Sequence, residues 1–157
     1  MNFPDQETFA GMAEQSGLVP VHRTIIADLD TPLTIFAKVA GEESHCFLFE
    51  SMEGGEKWGR YSFIGLDPLV NFPSTGSEVV ETVHEPERSN KTFTSVNPLE
   101  KVRELLASFN ASRAPGLPRF FGGAVGFLGY DMVRFVEEIP DSNPSLDIPD
   151  SSFMVPR

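Results

Sequence analysis

The sequence holds a single cysteine, Cys46, in 157 residues. An intrachain disulfide is therefore excluded, and a reducing compartment suits such a chain best. Cys46 itself is expected as a buried strand residue, the usual place of a free cysteine. Basic residues are scarce as well: 12 Lys and Arg stand against 23 Asp and Glu, for a formal net charge of −11. That sign argues against nonspecific binding to DNA, RNA or anionic lipid, which needs clustered Lys and Arg. No apolar stretch approaches the roughly 18 residues of a membrane span. The opening Met1-Asn2-Phe3-Pro4-Asp5 lacks the charged-then-apolar pattern of a signal peptide. The expectation is a cytoplasmic protein with neither a nucleic-acid nor a membrane partner. Internal repeats and low-complexity tracts are absent too.

What is present is a globular composition, with 40% apolar and 22% charged residues. It suffices for one domain, 1–157, with a real core. Residues 4–16 read as a helix, with Pro4 in the first turn, Phe9, Met12 and Ala13 on one face, and Gly17 closing it. Leu18 to Ile26 reads as a strand with Val19, Val21 and Ile25 on one face. A helix at 32–40 follows, capped by Thr31, opened by Pro32 and stopped by Gly41, with Leu33, Phe36 and Ala40 toward the core. Strands are expected at 45–51 and 60–66, joined by a polar loop containing Gly54-Gly55. Leu69 to Phe72 reads as a further short strand, Ser77 to Glu85 as another, and 85–91 as a polar loop. Asn97-Pro98-Leu99-Glu100 opens the best-marked helix, which stacks Leu99, Val102, Leu105, Leu106 and Phe109 in one stripe. A short helix is expected near 131–136, a proline-rich stretch after Glu138, and a strand starting at Phe153-Met154-Val155. Consecutive strands in the middle favour an α+β fold, a mainly antiparallel sheet with three to four helices packed on it.

Most candidate motifs have plain structural readings. Gly122, Gly123, Gly126 and Gly129 meet neither nucleotide fingerprint, since no Lys-Ser/Thr ends a P-loop and no Gly-x-Gly-x-x-Gly occurs. They fit a strand that another backbone or a large side chain approaches closely. His22, His45 and His84 fall on predicted strands without ligand-like spacing, and one cysteine does not complete a zinc set, so no metal site is expected. Glu42-Glu43 and Glu137-Glu138 read as solvated charge. No Gly-x-Ser-x-Gly elbow points to a nucleophilic serine.

Glu50 and Ser51 stand apart, because they end the apolar run Phe47-Leu48-Phe49. They fit a strand end whose polar groups meet backbone amides. They also fit an amino-acid site, in which a carboxylate pairs with an α-ammonium while a hydroxyl and a guanidinium hold an α-carboxylate. Arg60, opening the next strand, is the candidate cation. Apolar neighbours would house the side chain and strengthen the charge contacts by excluding water.

Three motifs resemble a known family. Phe47-Leu48-Phe49-Glu50-Ser51 is followed by Glu53-Gly54-Gly55-Glu56-Lys57-Trp58-Gly59-Arg60-Tyr61-Ser62-Phe63-Ile64-Gly65. Val19-Pro20-Val21 and Asp30-Thr31-Pro32-Leu33 precede them. Phe121-Gly122-Gly123-Ala124-Val125-Gly126-Phe127-Leu128-Gly129-Tyr130-Asp131 comes near the end. Together they resemble the N-terminal domain of anthranilate synthase component I, a chorismate-utilising enzyme of tryptophan biosynthesis. Most members have Leu-Leu-Glu-Ser where this chain has Leu48-Phe49-Glu50-Ser51. The resemblance implies a regulatory domain, part of a larger β/α sandwich in the intact enzyme, whose Glu50 and Ser51 contact the feedback inhibitor tryptophan. Pro32 and Arg60 match positions flanking that pocket. The resemblance further implies that catalysis belongs to a C-terminal chorismate-binding domain absent from these residues, with no catalytic residue within them. Magnesium would serve the intact enzyme, and a glutamine amidotransferase subunit, component II, would supply ammonia. The same architecture in aminodeoxychorismate synthase component I is the nearest alternative, and a stand-alone amino-acid-binding module is another.

Overall fold

The computed structural model describes residues 2–50, 61–84, 87–94, 97–113, 116–140, 142, 144 and 146–157. The expected loop 51–60, with Ser51 and Arg60, lies outside the described residues.

The α+β architecture expected from the element order is what the chain adopts. A five-stranded antiparallel sheet carries the core, in the order β7-β6-β5-β9-β8. Its strands are β5 (Pro68–Thr75), β6 (Glu78–Val83), β7 (Ser89–Thr94), β8 (Val125–Leu128) and β9 (Ser151–Pro156). Two antiparallel ribbons accompany it: β1 (Asn2–Phe3) with β2 (His22–Arg23), and β3 (Phe47–Phe49) with β4 (Phe63–Gly65). Among the described residues the helices are α1 (Gln6–Ala13), α2 (Pro32–Ala40) and α3 (Pro98–Ser108), and Tyr130–Phe135 forms a 3-10 helix.

Register explains why the sheet has two different faces. Side chains alternate along a strand, and the pairs Val70↔Val155, Phe72↔Phe153 and Ser74↔Ser151 align across β5 and β9. Val70, Phe72, Val79 and Val155 form the core, with Leu105 and Phe109 at the end of α3 packed against them. Ser74 and Ser151 on the same rows are buried and satisfy each other, Oγ to Oγ at 2.6 Å. The alternate rows, Asn71↔Met154 and Val125↔Met154, belong to the opposite face. A proline inside a strand costs a ladder bond, and the β5–β6 pairing shows where: it runs through Asn71↔Thr82 and resumes at Ser74↔Val79, skipping the rows of Phe72 and Pro73.

Helix boundaries follow capping chemistry. In α2, Thr31 and Thr34 form a reciprocal capping box: Thr34 N donates to Thr31 Oγ1 at 3.2 Å, and Thr31 N to Thr34 Oγ1 at 2.8 Å. Gly41, with φ +51°, ends the helix in a conformation that favours glycine. In α3, Asn97 Oδ1 accepts from Leu99 N at 3.0 Å and Pro98 takes the first turn.

Several expected elements differ. The helix at 4–16 shrinks to Gln6–Ala13, starts after a cap by Asp5, and has no buried residue. The strand expected over 18–26 survives only at His22–Arg23, because its partner β1 is two residues long. Beyond it Ile25 and Ile26 are exposed. Leu33, expected toward the core, is exposed, whereas Ala40 is buried and Phe36 half-buried. The polar stretch after 85 yields an edge strand from Ser89. Its outer face meets water, so it carries no apolar rhythm; only Phe93 is half-buried, with Lys101 Nζ 5.0 Å above its ring. Cys46 is half-buried and precedes β3, its Sγ 3.6 Å from the Glu43 carbonyl.

The glycine-rich stretch behaves as expected at two of its four positions. A Cβ on Gly126 would drive into the Ser152 carbonyl and sit 2.7 Å from Phe153 Cα, and one on Gly129 would lie 2.8 Å from Asp150 O. Gly123 needs glycine for its φ of +127°, and Gly122 faces open space. Gly126→Ala should therefore destabilise the protein by about 1–3 kcal/mol, since backbone rather than a flexible side chain must shift. Gly122→Ala should be near neutral. Urea denaturation of both variants checks the pair, and equal effects would refute the contact argument.

Candidate functional site

The strand β3 ends directly before Glu50. Phe47 and Phe49 meet with ring centroids 4.7 Å apart and planes tilted by 37°, and Phe49 is half exposed. The opposing strand makes room for Phe47: Gly65 pairs with it, and any Cβ there would enter the Phe47 ring. Phe63 of β4 meets Phe120 edge-on at 5.0 Å, tying the ribbon to the segment that leads into β8.

Between this ribbon and the sheet lies a cleft of about 370 Å³. One wall is Ser44 to Phe47 together with Phe49; the other is Asn71 of β5, Val125 to Phe127 of β8 and Ser152 to Met154 of β9. Its size falls within the ordinary range of small-molecule sites. The wall is mainly apolar and aromatic, with few polar groups to orient a ligand.

Glu50 is exposed, and its carboxylate makes no hydrogen bond or ion pair among the described residues. Pro32, half-buried, opens α2, and α2 packs against β3, so the helix that Pro32 starts and the strand that precedes Glu50 are neighbours. The start of that helix is held firmly. Asp30 accepts from Thr34 Oγ1 at 3.1 Å and from Lys38 Nζ. The Lys38 ammonium first, and the Thr34 hydroxyl second, hold the Asp30 carboxyl below its ordinary value. Ser51 and Arg60, the other two expected ligand contacts, lie outside the described residues.

Three polar residues converge here that sequence reading did not connect. His45 and His84 bring their ring centroids within 6.4 Å, and Asn71 Nδ2 lies 3.2 Å from His84 Nε2. Spacing along the chain hides this, because β5 and the hairpin to β6 must fold before position 71 meets 84. One signal was available: Asn71 interrupts the apolar run Leu69-Val70-Asn71-Phe72. Among the described residues no group of three His, Cys, Asp or Glu could hold a metal ion. None of their helices is long and apolar enough to cross a membrane.

These features define an antiparallel α+β domain with an aromatic cleft, and an exposed carboxylate, Glu50, that follows the strand on one of its walls. No protein-family model matches the chain. Curated relatives do. The chain is 36% identical over 155 residues to anthranilate synthase component 1 of Acetivibrio thermocellus, covering 98% of this chain and 31% of that protein. It is 40% identical over 141 residues to anthranilate synthase component 1 of Pseudomonas aeruginosa, covering 87% and 28%. With the same component of Aquifex aeolicus the identity is 38% over 133 residues, 85% and 26%. The chain is thus homologous to a segment of anthranilate synthase component 1, as its motifs suggest, and spans about three-tenths of the length of these relatives.

Proposed function

We propose that the chain is the N-terminal regulatory domain of an anthranilate synthase component 1, and that it helps sense free tryptophan. The observation that carries this reading is Glu50: an exposed carboxylate, unpaired among the described residues, placed straight after the aromatic strand that walls the cleft. A free amino acid supplies what such a place lacks, an ammonium for the carboxylate and an aromatic body for the rings. Ser51 and Arg60 would hold the ligand's carboxylate, and Pro32 would border its side chain.

In this reading the parent protein converts chorismate and ammonia to anthranilate, pyruvate and water in a cytoplasmic pathway. Ammonia comes from glutamine through an amidotransferase subunit. Chorismate and magnesium belong to a C-terminal domain of the same polypeptide, and no step of that reaction is assigned to the residues described here. Exposed apolar side chains support a further domain: Ile26 is 86% and Leu29 99% exposed, and Tyr130 and Val136 are open to a similar degree. Relatives about three times as long have further chain that could cover such side chains.

Tryptophan can inhibit only by binding the inactive arrangement better than the active one. The test is to titrate tryptophan into the intact polypeptide while following anthranilate by its fluorescence. Formation of anthranilate that falls with tryptophan supports the reading. Chorismate turnover to aminodeoxychorismate, or turnover indifferent to tryptophan, would overturn it. Residues 1–157 alone should bind tryptophan weakly by calorimetry, because half the pocket's contacts are missing.

A further inference from the structure

Among the described residues the large sheet ends in β7 on one side and β8 on the other, and the two edges differ. An edge strand offers unpaired N–H and C=O groups to any extended chain, so proteins guard it with charge, proline or a cover. β7 is guarded: Ser89–Thr94 is polar, with Lys91 exposed. β8 has neither charge nor proline, and beyond Val125 its residues are open, Phe127 at 49% and Leu128 at 54%. Register fixes which of its backbone groups are free. In an antiparallel ladder every second residue turns its N–H and C=O toward the partner strand. Gly129 N donates to Asp150 O at 2.7 Å, one step past the pair Leu128↔Ser151. Val125 and Phe127 therefore point their backbone groups at β9, while Gly126 and Leu128 aim theirs at the free edge. An apolar side chain stands on each side of that row, Phe127 on the sheet face of Met154 and Leu128 on the face of Ser151 and Ser74.

We propose that the free edge of β8 takes up an extended segment from the remainder of the same polypeptide, as one more strand of the sheet. The inference rests on the reading of this chain as one domain of a longer protein, and names the place where the two parts join. Main-chain bonds to Gly126 and Leu128 would hold the segment, and its alternate side chains would cover Phe127 on one face and Leu128 on the other. Relatives of which the chain spans 31% have ample length to supply it. A second copy is the weaker occupant, because two chains each of formal net charge −11 repel one another. A tethered strand also stays at high effective concentration, so the uncharged edge is not left open to stray pairing.

Hydrogen exchange read residue by residue in the intact polypeptide tests this. The amides of Gly126 and Leu128 should exchange as slowly as those of Val125 and Phe127, at least about a hundredfold slower than open amides. Fast exchange at 126 and 128 beside slow exchange at 125 and 127 would overturn the proposal. Protection that grows with protein concentration would give the edge to a second copy, and protection seen only with an added amidotransferase subunit would give it to that partner. Either result overturns the assignment to the same polypeptide. Leu128→Lys, which puts a charge in the joint, should speed proteolytic cleavage of the intact polypeptide by about tenfold or more. Thr92→Lys, at an exposed position of β7, should leave it unchanged, and equal cleavage of the two variants would count against the proposal. Should the Leu128 variant fail to fold, exchange in the native protein still decides. A mature protein that ends at Arg157 would overturn the longer-protein reading itself, and this inference with it.

Discussion

Phe72→Ala should remove about 3–5 kcal/mol of folding free energy, the usual result of emptying a phenylalanine site that cannot collapse. Phe72 is 2% exposed and lies on the central strand of the large sheet, among Val70, Val79 and Val155. Its neighbours come from four separate elements, β5, β6, β9 and α3, so no single shift can refill the space. Domains of this size are stable by only about 5–15 kcal/mol in total. The variant should accordingly unfold at much lower urea, as read by circular dichroism. Leu33→Ala is the comparison, since Leu33 is 61% exposed and should change stability by no more than about 0.5 kcal/mol. A loss under 1 kcal/mol for Phe72→Ala would mean that the core lies elsewhere.

Glu50→Ala should raise the tryptophan concentration needed for half-inhibition of the intact enzyme by at least about thirtyfold. Removing one partner of a desolvated charge pair costs about 2–5 kcal/mol, much of it from leaving the other charge unpaired. Here the stranded charge would be the ligand's ammonium. Ser51→Ala should act in the same direction with a smaller effect, because a hydroxyl–carboxylate bond contributes less than an ion pair. Inhibition curves give the answer as a ratio of rates with and without tryptophan. Collapse of turnover in the absence of tryptophan would mark Glu50 as catalytic and end the regulatory assignment.

Much of this molecule was legible along the chain where local chemistry decides. Thr31, Pro32 and Gly41 bound one helix to the residue, and Asn97-Pro98 placed the start of another. The reading was weaker where partners decide. Ser89–Thr94 has the composition of a loop and becomes a strand because β6 offers it an edge. Leu18 to Ile26 has the rhythm of a strand and mostly fails to become one, because only two residues face it across the ribbon. Glu50 became a site candidate from its place at a strand end, and Pro32 only through the family resemblance. Asn71 with His84 was not, since thirteen positions separate them and only the β5–β6 hairpin returns one to the other.

Residue order alone determined the α+β class, the capped helices, the acidic surface and the similarity to anthranilate synthase component 1, because these depend on side-chain type and short-range spacing. Tertiary structure decided which glycines backbone crowds, which apolar residues stay outside, and which polar side chains meet across the sheet, as Asn71 meets His84. Those depend on what arrives from distant parts of the chain, and no local pattern encodes an arrival.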